Sequence, residues 1–348
     1  MSPPRVDQSF VHGVIETPAG PVPRVYSFLT RDDRLGTIKV RLGIGRMSYT
    51  VDPGLYALRD PLPDDPVFVT ANYKLSFDKL REALSGRNGW ILVLDTKGIN
   101  VWCAAGKGTF GTEELLLRIS ACRLGEIVNH RTLILPQLSA PGVAAFEVKR
   151  RSGFSALWGP VEADHIPAFL DSGLKATPAM RIKHFPIAER LVLVPVELMG
   201  AIKIGIPILF AFFLISFFLS GISLHAAIQS GLNALLALFL GTMAGAVCTP
   251  LFLPWLPGKS FAAKGVLPGI AGSLLFFLVC GNSAPALEIY AWLLLIPAIS
   301  TYWAMNFTGS STFTSLSGVR KEMARAVPLQ VACGIVGIVL WFSSFLAY

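Results

Sequence analysis

Charge is scarce in this chain of 348 residues: Asp, Glu, Lys and Arg make up 15% of it, against roughly 25% in typical soluble domains. With 53% hydrophobic residues and a mean hydropathy of +0.57, this argues against an ordinary soluble enzyme. No long run of Lys or Arg accompanies the net charge of +8. The longest basic cluster, Lys149-Arg150-Arg151, reads as a solvated turn, so nucleic acid is not expected as a partner. The five cysteines (Cys103, Cys122, Cys248, Cys280 and Cys333) form no CxxC pair and no zinc spacing. That excludes a disulfide framework and fits a reducing compartment. The first dozen residues carry no apolar signal core, so the amino-terminal part is expected to remain in the cytoplasm.

What charge there is lies unevenly. Residues 1–203 hold 25 of the 30 basic residues and 20 of the 22 acids. From Ile204 to Gly258 there are 55 residues without one Asp, Glu, Lys or Arg. A crossing needs about 20 apolar residues, so the second half is expected to span a membrane five times, near 204–223, 231–249, 265–281, 287–306 and 327–347. Backbone groups in lipid must be satisfied within their own element, which makes these spans helices. Lys203, Lys259, Lys264, Arg320, Lys321 and Arg325 flank alternate ends, whereas loops 224–230 and 282–286 have no Lys or Arg. Positive charge stays inside, which puts the amino terminus in the cytoplasm and the carboxyl terminus outside an inner membrane. No ionisable residue falls in the middle of an expected span, so this half reads as an anchor rather than a pump. The Ser/Thr-rich segment 306–318 reads as a connector, and as a surface that docks the polar domain or a ligand if it is functional. Its sequon, Asn306-Phe307-Thr308, would be silent on the cytoplasmic side.

In the polar half, domain 1–200 against 201–348, strands alternate with helices. "VFVTA" (67–71), "WILVLD" (90–95) and "RTLIL" (131–135) read as strands, and 76–86 and 112–125 as helices. A strand pair over 37–51, strands over 155–158 and 191–196 and a helix over 163–171 are weaker expectations. The pattern implies an α/β Rossmann-like domain with a mainly parallel sheet, followed by the all-α five-helix membrane domain. Ligands in such sheets sit at the carboxyl ends of strands. The segment that follows strand 90–95 is "TKGINVWCAAGKGTFG" (96–111).

Gly106, Gly108 and Gly111 form G-x-G-x-x-G there, but the next strand ends in Pro136-Gln137 without the ribose-binding acid of a dinucleotide site. Val101 and Gly108 break a Walker pattern around Lys107. Asn100 is a good N-cap for a helix starting at Val101. Cys103 then lies in the first turn, where the positive end of the helix favours a negatively charged sulfur. Lys107 shares its face, and Ala104, Ala105 and Gly106 leave little bulk beside it, so a large flat ligand could approach closely. Cys122, on a face with Leu115 and Ile119, reads instead as a small buried hydrophobe.

The segment "GINVWCAAGKGTFGT" (98–112) resembles the cap-helix motif of the mercury-methylating corrinoid proteins, the HgcA family. "VFVTANYKLSFDKL" (67–80), "WILVLDTKG" (90–98) and the five spans are similar to that family too. The resemblance implies a corrinoid cofactor whose cobalt takes Cys103 as its lower axial ligand. Asn100, Val101, Trp102, Ala104, Ala105, Gly106 and Lys107 would form the helix beneath the macrocycle, with Gly108, Thr109, Thr70 and Asn72 as further contacts. The related large subunit of the corrinoid iron–sulfur protein lacks the cysteine and brings a cysteine-rich cluster segment, whereas no Cys precedes Cys103 here. The resemblance therefore implies no iron–sulfur cluster in this chain and a separate ferredoxin-like electron donor. It further implies a folate-pathway methyltransferase as methyl donor, Hg(II) as substrate, and methylmercury as product in an anaerobic cell. Two alternatives stay open: a membrane-bound corrinoid methyl carrier of one-carbon and acetyl-CoA metabolism, and a membrane receptor or transporter with a cytoplasmic binding domain.

Overall fold

The computed structural model describes residues 3–307 and 316–346. Most of the Ser/Thr-rich segment, with Thr308 of the sequon, lies outside these residues. The chain forms two compact units, Met1–Val40 with Ile44–His184, and Arg41–Gly43 with Phe185–Tyr348.

The first unit is an α/β domain built on one seven-stranded sheet. A hairpin of β1 (Val11–Thr17) and β2 (Gly20–Val25) precedes helix α1 (Arg31–Arg41) and β3 (Gly54–Leu58). Then come β4 (Val67–Ala71), α2 (Lys74–Ala83), β5 (Gly89–Leu94), α3 (Val101–Lys107), α4 (Thr112–Ala121) and the short α5 (Leu124–Ile127). The unit closes with β6 (Thr132–Leu135), α6 (Ala145–Ser152), β7 (Ser155–Trp158) and α7 (Ile166–Asp171). The strand order is β1-β2-β3-β5-β4-β6-β7. Strands β4 to β7 run parallel, while β3 lies antiparallel to β5 and β1 antiparallel to β2, so the sheet is mixed.

Why β4 and β5 are central is visible in their residues. Both are buried at every position, as expected of near-continuous apolar runs covered on both faces. Val67, Val69, Ala71, Trp90, Leu92 and Leu94 pack on the face that holds Leu115 and Ile119 of α4 and Val148 of α6. Phe68, Ile91 and Val93 pack on the other face with Phe77, Leu80 and Leu84 from the α2 region and Phe169 of α7. Each such side chain contributes about 1.5–3 kcal/mol when fully buried.

Three expectations are corrected. The first sixty residues contain β1, β2 and β3, which sequence reading missed. The stretch 37–51 holds no strand pair: α1 covers its start, and Thr50 forms only an isolated bridge to Tyr73. Residues 191–196 are not a strand either. They lie inside α8 (Ile187–Leu219), where "VLVPV" mimics a strand while the apolar run continues as helix through Pro195 and Pro207.

The second unit contains α8, α9 (Leu224–Leu251, with a π-helical stretch Met243–Cys248), α10 (Phe261–Cys280), α11 (Ala286–Asn306) and α12 (Leu316–Leu346). All five are long and apolar enough to cross a membrane, which is compatible with a multi-pass membrane protein. Small residues let the helices approach closely. A side chain at Gly245, in the π-helical stretch, would strike the Ser300 carbonyl of α11. One acid of this half, Glu288 in the first turn of α11, is buried. Its Oε1 accepts from Asn233 Nδ2 at 3.1 Å and Trp292 Nε1 at 3.4 Å.

Candidate functional site

Within the parallel part of the sheet, the chain moves outward from β4 to β5 and then crosses back over β4 to reach β6. The carboxyl end of β4 is therefore a topological switch point, where an open α/β sheet leaves a crevice for ligands. Helix α3 follows β5 and packs against β4 and against the 3₁₀ turn Gln137–Ser139 that follows β6. The helix thus lies at the switch point, presented by rigid strand ends rather than by a free loop.

Its start is set by Asn100, which is extended (φ −63°, ψ 160°) and whose Oδ1 accepts the Cys103 backbone N–H at 2.9 Å. That is the N-cap geometry that satisfies an otherwise orphaned donor of the first turn. Its end is set by Gly108, left-handed at φ 80°, with the Thr109 and Phe110 amides donating to the Ala104 carbonyl. Only glycine adopts that conformation without strain. Ala104 and Ala105 are buried in the core, and Val101 packs against its margin. Trp102 and Cys103 are half-buried, and Gly106 and Lys107 are exposed. A helix with an alanine underside, a cysteine at its flank and an exposed Gly-Lys end offers a flat face with one soft donor.

The loop leading into α3 is tied down by polar residues. Asn72, just past β4, accepts through Oδ1 from the Thr96 amide at 3.1 Å, the Thr96 hydroxyl at 2.9 Å and the Gly98 amide at 3.0 Å. Its Nδ2 donates to Asp95 at 3.3 Å. The Asp95 amide donates to Glu114 Oε1 at 2.7 Å, and Arg118 Nε donates to the same oxygen at 2.6 Å. Partial burial would push the Asp95 carboxyl up, but hydrogen bonds from Lys97 and the charges of Lys97 and Arg118 outweigh it and hold it below the usual carboxylate range. Behind α3, Gly142 leaves no room for a side chain: a Cβ there would lie 3.1 Å from Ala105 Cα and closer still to the Phe110 carbonyl.

These facts sort the residues singled out from sequence. Asn100 to Lys107 form one helix, as expected, and Gly108 and Thr109 close it. Thr70 is buried at the penultimate position of β4. Asn72 is buried with its amide spent on loop 95–99. Asp95, Glu114 and Gly142 were missed by sequence reading; only the glycine carried a local signal, in "SAPG" before α6. The Gly106, Gly108, Gly111 pattern belongs to a helix–turn–helix link, and Glu113 and Glu114 occupy the first turn of α4, which repels a phosphate there. Cys122, expected to be buried, is half-buried and packs against the core, its thiol pushed up by desolvation despite the charge of Arg118. A concavity of about 1070 Å³ opens beside Gly108 and Thr109 over α4, but Cys103 does not line it.

Residues 39–170 match the family model described as the CO dehydrogenase/acetyl-CoA synthase delta subunit. Over 140 residues the chain is 36% identical to the acetyl-CoA decarbonylase/synthase complex subunit gamma of Archaeoglobus fulgidus, covering 39% of this chain and 29% of that protein. It is 30% identical over 123 residues to the subunit of the same name from Methanopyrus kandleri, covering 35% of this chain and 26% of that protein. The corresponding Methanothermobacter thermautotrophicus subunit is 30% identical over 128 residues, 36% of this chain and 28% of that protein. The chain thus spans less than a third of the length of these relatives.

Proposed function

We propose that the amino-terminal unit is a corrinoid-binding module that carries a methyl group, tethered to the inner membrane by the helical unit with its amino terminus in the cytoplasm. The observation that carries this is the Asn100-capped helix α3 at the sheet's switch point, with Cys103 on its half-open flank. The match of residues 39–170 to the delta-subunit family model and the similarity to acetyl-CoA decarbonylase/synthase gamma subunits support it. The residues fit the group: the alanines fix the helix to the core, Asn100 fixes the first turn, and Cys103 supplies one soft ligand to a metal already held by its macrocycle. Asn100 to Lys107 would hold the macrocycle, with Gly108, Thr109, Thr70 and Asn72 as further candidates, Asn72 also fastening the loop that leads into the helix.

A corrinoid supplies, when bound, a cobalt centre able to hold and release a methyl group. Cys103 would be the residue that ligates the metal, a sulfur donor of the kind that suits such soft centres. The hydrogen bond that the Cys103 backbone N–H donates to Asn100 fixes the first turn from which the sulfur projects. For the acceptor, the motif resemblance supports Hg(II), an electrophile toward which a soft sulfur donor such as Cys103 would favour methyl transfer. A folate-pathway methyltransferase and a ferredoxin-like protein would supply the methyl group and reducing electrons. The relatives' names favour a second acceptor, that of a methyl carrier in one-carbon and acetyl-CoA metabolism.

Cobalt analysis with an absorption spectrum of the purified full chain tests the shared premise. Corrinoid-bound cobalt is expected, and its absence after expression with corrinoid supplied would instead favour a receptor or transporter. Deletion separates the acceptors. Loss of methylmercury formation with normal acetyl-CoA flux supports Hg(II), and the reverse supports the carbon-metabolism reading.

A further inference from the structure

The cations at one end of the helical unit have a distribution that an anchor alone does not require. Lys264 donates to the Leu253 and Leu256 carbonyls at 2.8 and 2.7 Å, so it serves the fold. Lys259, Lys321 and Arg325 make no hydrogen bond or ion pair among the described residues, and all three line one crevice between α10, α11 and α12. The crevice has a volume of about 730 Å³. Below its basic mouth the walls are mainly apolar, with Val266 from α10, Leu294 from α11 and Leu329 from α12, and the polar pair there is closed on itself, Gln330 Nε2 donating to Thr301 Oγ1 at 3.2 Å. The acid at the mouth, Glu322, is held by the fold, its Oε1 accepting the Ala262 amide at 2.7 Å at the start of α10; it pairs with none of the three cations, and the lining keeps an excess of positive charge. Spacing explains the juxtaposition, because Lys321, Arg325 and Leu329 recur every fourth residue and share one face of α12.

We propose that this crevice binds an anionic phospholipid, with the phosphate at Lys259, Lys321 and Arg325 and an acyl chain along Val266, Leu294 and Leu329. Basic pockets between membrane helices recognise lipid headgroups by this combination. Charge complementarity sets the occupant. Three unpaired cations call for negative charge, and the apolar depth calls for a hydrocarbon chain joined to it. A zwitterionic lipid would leave the cations uncompensated, and a free phosphate would leave the apolar walls uncovered. The proposal depends on the helices residing in a membrane and is independent of the cofactor.

The test uses the full chain, purified in neutral detergent, with retention of phosphatidylglycerol against phosphatidylcholine measured by native mass spectrometry. Phosphatidylglycerol is expected to be retained preferentially. At about a fivefold loss per cation, the K259Q/K321Q/R325Q variant should bind about 100-fold more weakly, whereas R320Q, outside the crevice, should match the unaltered protein. A326W narrows the crevice without touching a cation and should also lose the lipid. Thermal unfolding checks that the variants remain folded. Equal retention of the two lipids, unchanged binding by the triple variant, or full competition by soluble glycerol phosphate would each overturn the proposal.

Discussion

Two regions of the α/β unit treat their polar residues in opposite ways. Beneath one face of the sheet, Asp33, Lys74, Asp78 and Arg81 form a buried cluster in which opposite charges meet. Lys74 Nζ is 2.8 Å from Asp78, Arg81 Nε is 2.9 Å from Asp78, and both cations also pair with Asp33. Arg81 further donates to the Tyr26 and Phe28 carbonyls, fastening the β2–α1 connection to α2. At the switch point, by contrast, the polar groups hold a loop and a short helix while leaving Cys103, Gly106 and Lys107 accessible. A cluster closed on itself has no valence left for a ligand, so its chemistry serves folding. A helix anchored from behind and open in front keeps its chemistry for something else.

The comparison breaks if the two regions respond alike to substitution. The largest effect is expected from Cys103→Ala, which should reduce methyl transfer to background while leaving thermal unfolding unchanged. Cys122→Ala should leave transfer intact; equal loss in both, measured as methylmercury formed in cells, would remove the distinction between them. Next comes Arg81→Ala, which strands two buried carboxylates and should destabilise the unit by about 3–5 kcal/mol, read by hydrogen exchange of β4 and β5 amides. Asn72→Ala leaves the Thr96 and Gly98 amides without their acceptor and should cost about 2 kcal/mol, lowering cofactor content more than it lowers unfolding temperature. Asn100→Ala removes a helix cap and should cost about 1 kcal/mol, seen as faster exchange confined to the first turn of α3.

Acid sharpens the same contrast. Burial pushes the Asp33 carboxyl up, but hydrogen bonds from Lys74 and the Thr30 backbone, with the charges of Arg81 and Lys74, outweigh it and hold it well below the usual range. A carboxyl depressed in the folded state adds stability that is full above its unfolded pKa, about 4, and is lost as pH falls below that. Asp78 is raised by burial against the pull of Lys74 and Arg81, which softens the loss. Stability should therefore fall below about pH 4, and Asp33→Asn should flatten the profile.

How much of this was legible in the sequence follows from the range of each signal. The start of helix α3 was readable from Asn100 because a cap acts within a few residues. Strands β4 and β5 were readable because both faces are covered and the runs are continuously apolar. The β1–β2 hairpin was missed because β1 alternates only between exposed and half-buried positions and β2 carries Pro21 and Pro23. The false strand at 191–196 shows the opposite failure, since a short β-branched run cannot be told from part of a long apolar helix. The seat of α3 on Gly142, and the pairing of Asp33 with Arg81, join residues far apart in the chain and were invisible to local pattern.

The proposed ligation of cobalt by Cys103 is open to cobalt-edge X-ray absorption on the purified full chain. One sulfur neighbour is expected at cobalt in the unaltered protein and none in Cys103→Ala with the cofactor retained. A cobalt centre surrounded only by nitrogen and oxygen in the unaltered protein, with Cys103 reduced, would contradict it.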